Sequence, residues 1–308
     1  MPTAPPASSS TSAAVQPPTL PRLLRRAWIL SDPATRCDMR CDAQDRATIH
    51  QRLVTILGDY WICAECGQLQ RDSGGAPALT DPGQYDAKWM RLAATFAPTE
   101  SQIAECRQWV KRIEPYRRLG RLFEVGCGLG LLLKTATDAG WAAEGNDLSV
   151  VAAAHATKLT GRPVASGPIE QVTLEKGIYD VILLNNVFEH LDEPRRVLCN
   201  LAAALRPGGV MFFQTLNGQS LSLHFAPTHW LYYGPGHLIV PTLVSLRAYF
   251  KAAGLVPVRF ETHGFRTMKH ADLHTTGKQK RLIDRLLSPL ATGMRRGHRV
   301  KVLLQRPE

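Results

Sequence analysis

Between Glu124 and Asp147 the chain sets two carboxylates around a glycine-rich turn, Glu124-Val125-Gly126-Cys127-Gly128-Leu129-Gly130. Glycines at this spacing let the main chain approach a ligand closely at the start of a helix, where unpaired N–H groups point outward. An acid at the tip of the following strand can accept hydrogen bonds from ribose hydroxyls, and Asp147 has that position. The elements that must hold these groups read as a β-α-β half-unit. Leu122, Phe123 and Val125 make a short apolar strand, an apolar helical run ends at Gly140, and a second strand covers Trp141 to Gly145. The spacing argues against a dinucleotide turn. That fingerprint, G-x-G-x-x-G, needs a third glycine at 131, where the chain has Leu131.

A second cluster of polar groups follows Tyr179. Val181 to Leu184 form an unbroken apolar run, as expected of a strand covered on both faces, and Asn185, Asn186, Glu189 and His190 then follow abruptly. Such a switch marks a site at the carboxyl edge of a sheet. A further strand over Val210–Thr215 leads to a segment rich in aromatics and histidine: His229, Trp230, Tyr232, Tyr233 and His237. These residues could line an acceptor pocket, or they could simply pack the loop down.

The pattern Glu124-x-Gly126-x-Gly128-x-Gly130 with Asp147, the run DVILLNNVFEHLDEP, the run LRPGGVMFFQTLN, and His229-Trp230 followed by Pro235-Gly236-His237 together resemble class I S-adenosylmethionine (SAM) methyltransferases. The likeness is to those of the ubiquinone-biosynthesis and "methyltransferase domain 23" kind, and it covers roughly residues 37–265. It implies an α/β fold, a doubly wound, seven-stranded, mostly parallel sheet, and SAM as cofactor. It assigns the cofactor to Glu124, Gly126, Cys127, Gly128, Gly130, Asp147, Leu148, Ile169, Glu170 and Asn185. Glu124 would face the amino end of the methionine, and Glu170 would reach the adenine amino group. In some ubiquinone O-methyltransferases the residue matching Asn186 is Glu and holds a divalent metal with those matching Glu189 and His190. Asn186 breaks that trio.

For methyl transfer to a hydroxyl, a base is needed near the acceptor proton. His190 is the first choice and His237 the second, with Glu189 beside them and His229 a further candidate. The acceptor is expected to be a small molecule: a sugar, a nucleotide-sugar or a quinone-type precursor. Two other classes remain open, an RNA or protein methyltransferase and a SAM-binding scaffold without turnover. No aromatic-basic platform for RNA is apparent in the sequence, which argues against a nucleic-acid partner.

Cys37-x3-Cys41 and Cys63-x2-Cys66-Gly67 make two pairs that could close a tetrahedral structural zinc site. Four ordinary thiols are the alternative. Seven cysteines without an export signal argue against a disulfide framework and for the cytoplasm. No apolar run approaches the length that crosses a bilayer.

The 308 residues divide into a disordered Pro/Ala/Ser/Thr leader at 1–20, a cysteine segment at 21–80 and a methyltransferase domain at 81–308. A helical stretch is expected from Tyr85 to Tyr116, with Trp89, Leu92, Ala93 and Phe96 as core contacts and Tyr85 and Lys88 placed to cover the cofactor. Shorter strands are expected at Pro163–Ala165, Val256–Thr262 and Arg299–Leu304. Net charge is +11, and residues 261–308 hold eleven Lys/Arg against four Asp/Glu. The amphipathic segment around Leu282, Ile283, Leu286 and Leu287 can pack on the domain or touch a membrane peripherally.

Overall fold

The computed structural model describes residues 28–30, 50–55, 59–71, 82–228, 230, 232–233, 236–266 and 277–308. The leader at 1–20, the pair Cys37/Cys41 and His229 lie outside the described residues. Two sheets organise the chain. A small antiparallel sheet begins with β1 (Trp28–Leu30), β2 (His50–Leu53), β3 (Tyr60–Cys63) and β4 (Leu69–Arg71). Helices α1 (Pro82–Ala94) and α2 (Glu100–Ile113) then lead into the large sheet.

Its first half alternates strand and helix: β5 (Arg121–Val125), α3 (Leu131–Asp138), β6 (Ala142–Asp147), α4 (Val150–Thr160) and β7 (Val164–Ser166). The second half runs through β8 (Tyr179–Asn185), α5 (Pro194–Ala204), β9 (Leu205–Leu216), α6 (Leu221–Phe225), β10 (Ile239–Val240) and α7 (Leu243–Ala252). It closes with β11 (Val256–His263), α8 (Gly277–Gly293) and β12 (Arg299–Gln305).

The strand order β11-β12-β9-β8-β5-β6-β7 is that of a doubly wound sheet, as expected. Neighbours from β9 to β7 are parallel, and only β12 and its two partners pair antiparallel. After β7 the chain crosses back to β8 on the other side of β5, which makes β5/β8 the switch point where open α/β sheets bind ligands. The continuous apolar register of β8 explains its central place: all residues from Tyr179 to Leu184 are buried. Its second residue, Asp180, is buried too and accepts the N–H groups of Arg118, Leu119 and Gly120 while paired with Arg206 Nε at 2.6 Å. Burial opposes its charge, yet Arg206 and these N–H groups prevail and hold the carboxyl below its ordinary range.

Two expectations change. The single helical stretch at 85–116 is two helices, because Thr99 and Gln102 form a capping box that starts α2 afresh just after Pro98. Of the residues read as core there, Leu92 is exposed. The small sheet also takes its last strand, β10, from residues 239–240, paired antiparallel with β4. The cysteine segment is therefore completed by the larger domain, with Thr242 Oγ1 donating to the Cys66 carbonyl at 2.6 Å.

Candidate functional site

The carboxyl ends of β5, β6 and β8 open into a cleft. The glycine turn forms one wall. Gly126 and Gly130 take positive φ (67° and 85°), and a Cβ at either would come within 2.5 Å of Val187 or 2.7 Å of Ala156. Only glycine lets the turn sit this close to its neighbours. Of the cofactor residues expected from sequence, Gly126, Asp147, Leu148, Ile169 and Glu170 line the cleft, as does His190. Gly128 and Gly130 complete the turn, while the Cys127 side chain turns into the core beside Leu133 and Ala143.

Asp147 does two jobs. One of its oxygens accepts the Gly128 N–H at 2.8 Å and the other the Ser149 N–H at 2.9 Å, so it pins the glycine turn to the start of α4 while facing the cleft. Glu124, two residues before the turn, is buried, and burial together with the charge of Asp147 pushes its carboxyl up to about 8. Its Oε2, with Asn146 Oδ1 and Asn185 Oδ1, has no hydrogen-bond partner among the described residues. Buried polar atoms left this way await a ligand. A cationic ligand beside this acid pair would favour the ionised form of Glu124.

Asn186, rather than Asn185, reaches the cleft wall. It adopts φ 54°, unusual for a residue with a side chain, and is held there by Gln214 Nε2 at 3.1 Å. Asp192, Asn146 and Trp89 also line the cleft and were not foreseen. Trp89, expected in the core, stands over Gly128 instead. The side chains of Tyr85 and Lys88 are outside the described residues.

At the far end the structure joins Glu189, His190 and His237, whose ligand atoms all lie within 4.8 Å of one another. The two rings are 4.7 Å apart. His190 donates Nδ1–H to the Gly236 carbonyl and His237 donates Nδ1–H to that of Tyr232, which orients both rings. Glu189 is buried and accepts from Thr215 Oγ1 at 2.8 Å. Burial, and secondarily the neighbouring His190, lower the pKa of His237 against the pull of Glu189. Trp230 and Tyr233 do not wall this end. Both are fully buried beside Tyr60 and pack the loop down, and Tyr60 OH donates to the His237 carbonyl at 3.1 Å.

The family trio at 186, 189 and 190 does not form, because the Asn186 amide is engaged with Gln214. His237 stands in its place. Cys63 ends β3 and Cys66 lies in the β3–β4 turn, where the Gly67 N–H donates to the Cys63 carbonyl at 2.9 Å. Both side chains are buried, and neither is in a disulfide.

The family model "Methyltransferase domain" matches residues 99–259, more than half of the chain. A ubiquinone biosynthesis O-methyltransferase from Bordetella avium is 30% identical over 149 residues, 46% of this chain and 61% of that protein. One from Caulobacter vibrioides is 38% identical over 150 residues, 42% and 59% of the two chains. The chain thus spans about three fifths of the length of these curated relatives. Among solved structures, the complex between the Haloferax volcanii Trm112 methyltransferase activator and the putative methyltransferase matches 75% of this chain and 98% of that one, at a TM-score of 0.50 and 15% identity. That likeness speaks for the fold. With the glycine turn, its two acids and the sheet order already in place, the match over 99–259 settles the family: this chain belongs to the methyltransferase-domain family and has the class I methyltransferase fold.

Proposed function

We propose that the chain transfers a methyl group from SAM to an oxygen or nitrogen atom of a small-molecule acceptor. The observation that carries this reading is the buried acid pair Glu124/Asp147 against a positive-φ glycine turn. An anionic floor suits a nucleoside that carries a sulfonium and an ammonium, and it repels the diphosphate of a dinucleotide. In the reaction the acceptor atom attacks the methyl carbon, the S–C bonding pair stays on sulfur, and the acceptor proton passes to a base. In-line displacement of this kind rests mainly on positioning both partners. His190 and His237 present the lone pairs for the proton, and Glu189 offsets the charge that forms.

The relatives' names favour an aromatic hydroxyl of a quinone-type precursor, with sugars and nucleotide-sugars as further members of the class. Incubation with methyl-labelled SAM and catechol-type quinone precursors, sugars and RNA tests the reading, with label expected in a catechol or sugar. Label confined to RNA, with a steep loss in salt, would give the nucleic-acid reading instead. Binding without any transfer would leave a scaffold.

One observation favours a second version of the chemistry. Two histidines oriented through Nδ1 to main-chain carbonyls, beside a buried carboxylate, form a donor set suited to a divalent ion, which would lower the pKa of a bound hydroxyl.

A structural zinc ion on Cys37, Cys41, Cys63 and Cys66 belongs to the same proposal, supported by the shared turn that carries Cys63 and Cys66. Metal analysis of protein purified without added zinc should give about one zinc per chain, removed by Cys63→Ser or Cys66→Ser. Zinc-free, folded protein would make these cysteines ordinary thiols.

No helix of the described residues is long and apolar enough to cross a membrane. Peripheral contact is a different matter, and we place it on α8 in the cytoplasm. Ile283, Leu287 and Ala291 pack that helix against Leu221 and Phe265, so packing on the domain accounts for one ridge. A second ridge at four-residue spacing, Leu282, Leu286, Leu290 and then Met294, is exposed by 51–65% beside exposed Arg281 and Arg285. Apolar side chains flanked by arginine suit an anionic lipid surface. Sedimentation with phosphatidylglycerol vesicles should capture the wild type and lose Leu286→Asp. Equal sedimentation of both proteins would exclude this contact.

A further inference from the structure

Asp147 accepts hydrogen bonds from the N–H groups of Gly128 and Ser149, and one helix reaches both of those partners from outside the matched region 99–259. Asp86 of α1 accepts a short hydrogen bond from Ser149 Oγ and a longer one from the Val151 N–H at 3.4 Å. Ser149 is the N-cap of α4, and its Oγ also accepts the Ala152 N–H at 3.1 Å. One turn further along α1, Trp89 lines the cleft and covers the glycine turn, where a Cβ on Gly128 would lie 3.0 Å from the indole. Behind α1 the connector is fixed by Phe96, which sets its ring edge-on to His155 of α4 at 4.8 Å. His155 in turn hydrogen-bonds the Leu129 carbonyl of the glycine turn at 3.0 Å.

We propose that α1 is a cover for the cofactor cleft, with Trp89 as the covering side chain and Asp86 as the latch that holds it closed on the N-terminus of α4. The proposal rests on the adenosyl-cofactor reading above and extends it to residues that the family match does not include. Asp86 acts through α4 and α1, so it is a positioning residue. Its carboxylate adds charge and hydrogen-bond acceptance to a helix start that already has its own cap, a favourable arrangement for an anion. Because Ser149 bonds to both acids, closing the latch and ordering Asp147 toward the ribose are one event. Bound cofactor can leave only when Trp89 moves off the glycine turn. The latch therefore sets the dissociation rate more than the association rate.

Stopped-flow binding of S-adenosylhomocysteine tests this. Asp86→Ala is expected to raise the dissociation rate about tenfold with the association rate within about twofold. Asp86→Asn, which keeps an oxygen to accept from Ser149 and Val151, should stay within about twofold of the wild type. Trp89→Ala should also release the ligand faster, and the double variant Asp86→Ala/Trp89→Ala should fall short of the product of the two because both act through one helix. A folded Asp86→Ala protein, checked by circular dichroism, with an unchanged dissociation rate would overturn the proposal. So would full additivity in the double variant. If the wild type binds no S-adenosylhomocysteine, the cofactor reading itself fails and the cover goes with it. Binding by the wild type with unaltered release from the variants rejects the cover alone.

Discussion

Replacing His237 by Ala lowers turnover about a hundredfold or more while SAM affinity stays within about twofold. The expectation follows from the geometry at the far end of the cleft. His237 lies against His190 and Glu189, and its Nδ1–H is held by the Tyr232 carbonyl, so the ring is oriented for use of the remaining nitrogen. His190→Ala should have a comparable effect on turnover and a larger one on the Michaelis constant for SAM, because His190 also lines the cofactor cleft. A chelator separates the two chemistries. Loss of activity in EDTA, restored by a divalent ion, assigns the trio to a metal. Insensitivity assigns the histidines to proton transfer. The direction of the His237 shift sets the pH dependence. A histidine held below its ordinary value stays neutral in the fold, so the unfolded chain binds the proton first and stability is lost as pH falls below about 6.5. His237→Ala should remove that part of the acid sensitivity. Parallel loss of melting temperature and SAM binding in His237→Ala, with turnover per bound cofactor intact, would make the residue structural.

The second large effect concerns the cofactor end. Asp147→Ala should weaken SAM binding by about one to three kcal/mol, tenfold or more. It should also loosen the glycine turn, since the same carboxylate holds the Gly128 and Ser149 N–H groups. Glu124 supplies the pH signature. With its carboxyl raised to about 8 by burial and by Asp147, the ligand-free protein keeps a proton there that the unfolded chain has already lost. Stability of the ligand-free protein therefore falls as pH rises from about 4.5 to about 8 and levels off above, the sign that follows when the folded state binds more protons. A cationic ligand favours the ionised carboxylate, so SAM affinity should rise through the same window, and Glu124→Gln should flatten both trends. Melting curves across pH 5–9, with and without SAM, check the sign. A ligand-free melting temperature that climbs with pH, lost in Glu124→Gln, would contradict the assignment.

The sequence carried the central sheet well because its signals are local. A glycine turn after Phe123 and Val125, and the apolar register of Tyr179–Leu184 ending at Asn185, each stand on neighbouring residues. Asp147 could be placed in the cleft because it ends its strand, and Glu170 because it follows its strand by a short turn. The meeting of His190 with the loop at Gly236 and His237 joins residues 46 apart, and no local pattern encodes it. The same holds for β10, two residues long, which owes its strand conformation to β4 rather than to its own sequence. Trp89 shared helical spacing with Leu92, Ala93 and Phe96, none of which is fully buried, and spacing alone does not tell a ring over a cleft from one in a core. The break between α1 and α2 was legible at Pro98-Thr99 and Gln102, a capping signal that the apolar periodicity on either side concealed.

Titration calorimetry with SAM, S-adenosylhomocysteine and NADH decides whether the cleft beside Glu124 and Asp147 binds a sulfonium nucleoside. Both adenosyl ligands should bind at micromolar strength, SAM tightening as pH rises through about 8 while neutral-sulfur S-adenosylhomocysteine tightens less, and NADH should not bind. Unchanged SAM affinity in Asp147→Ala, or NADH binding in place of SAM, would contradict this assignment.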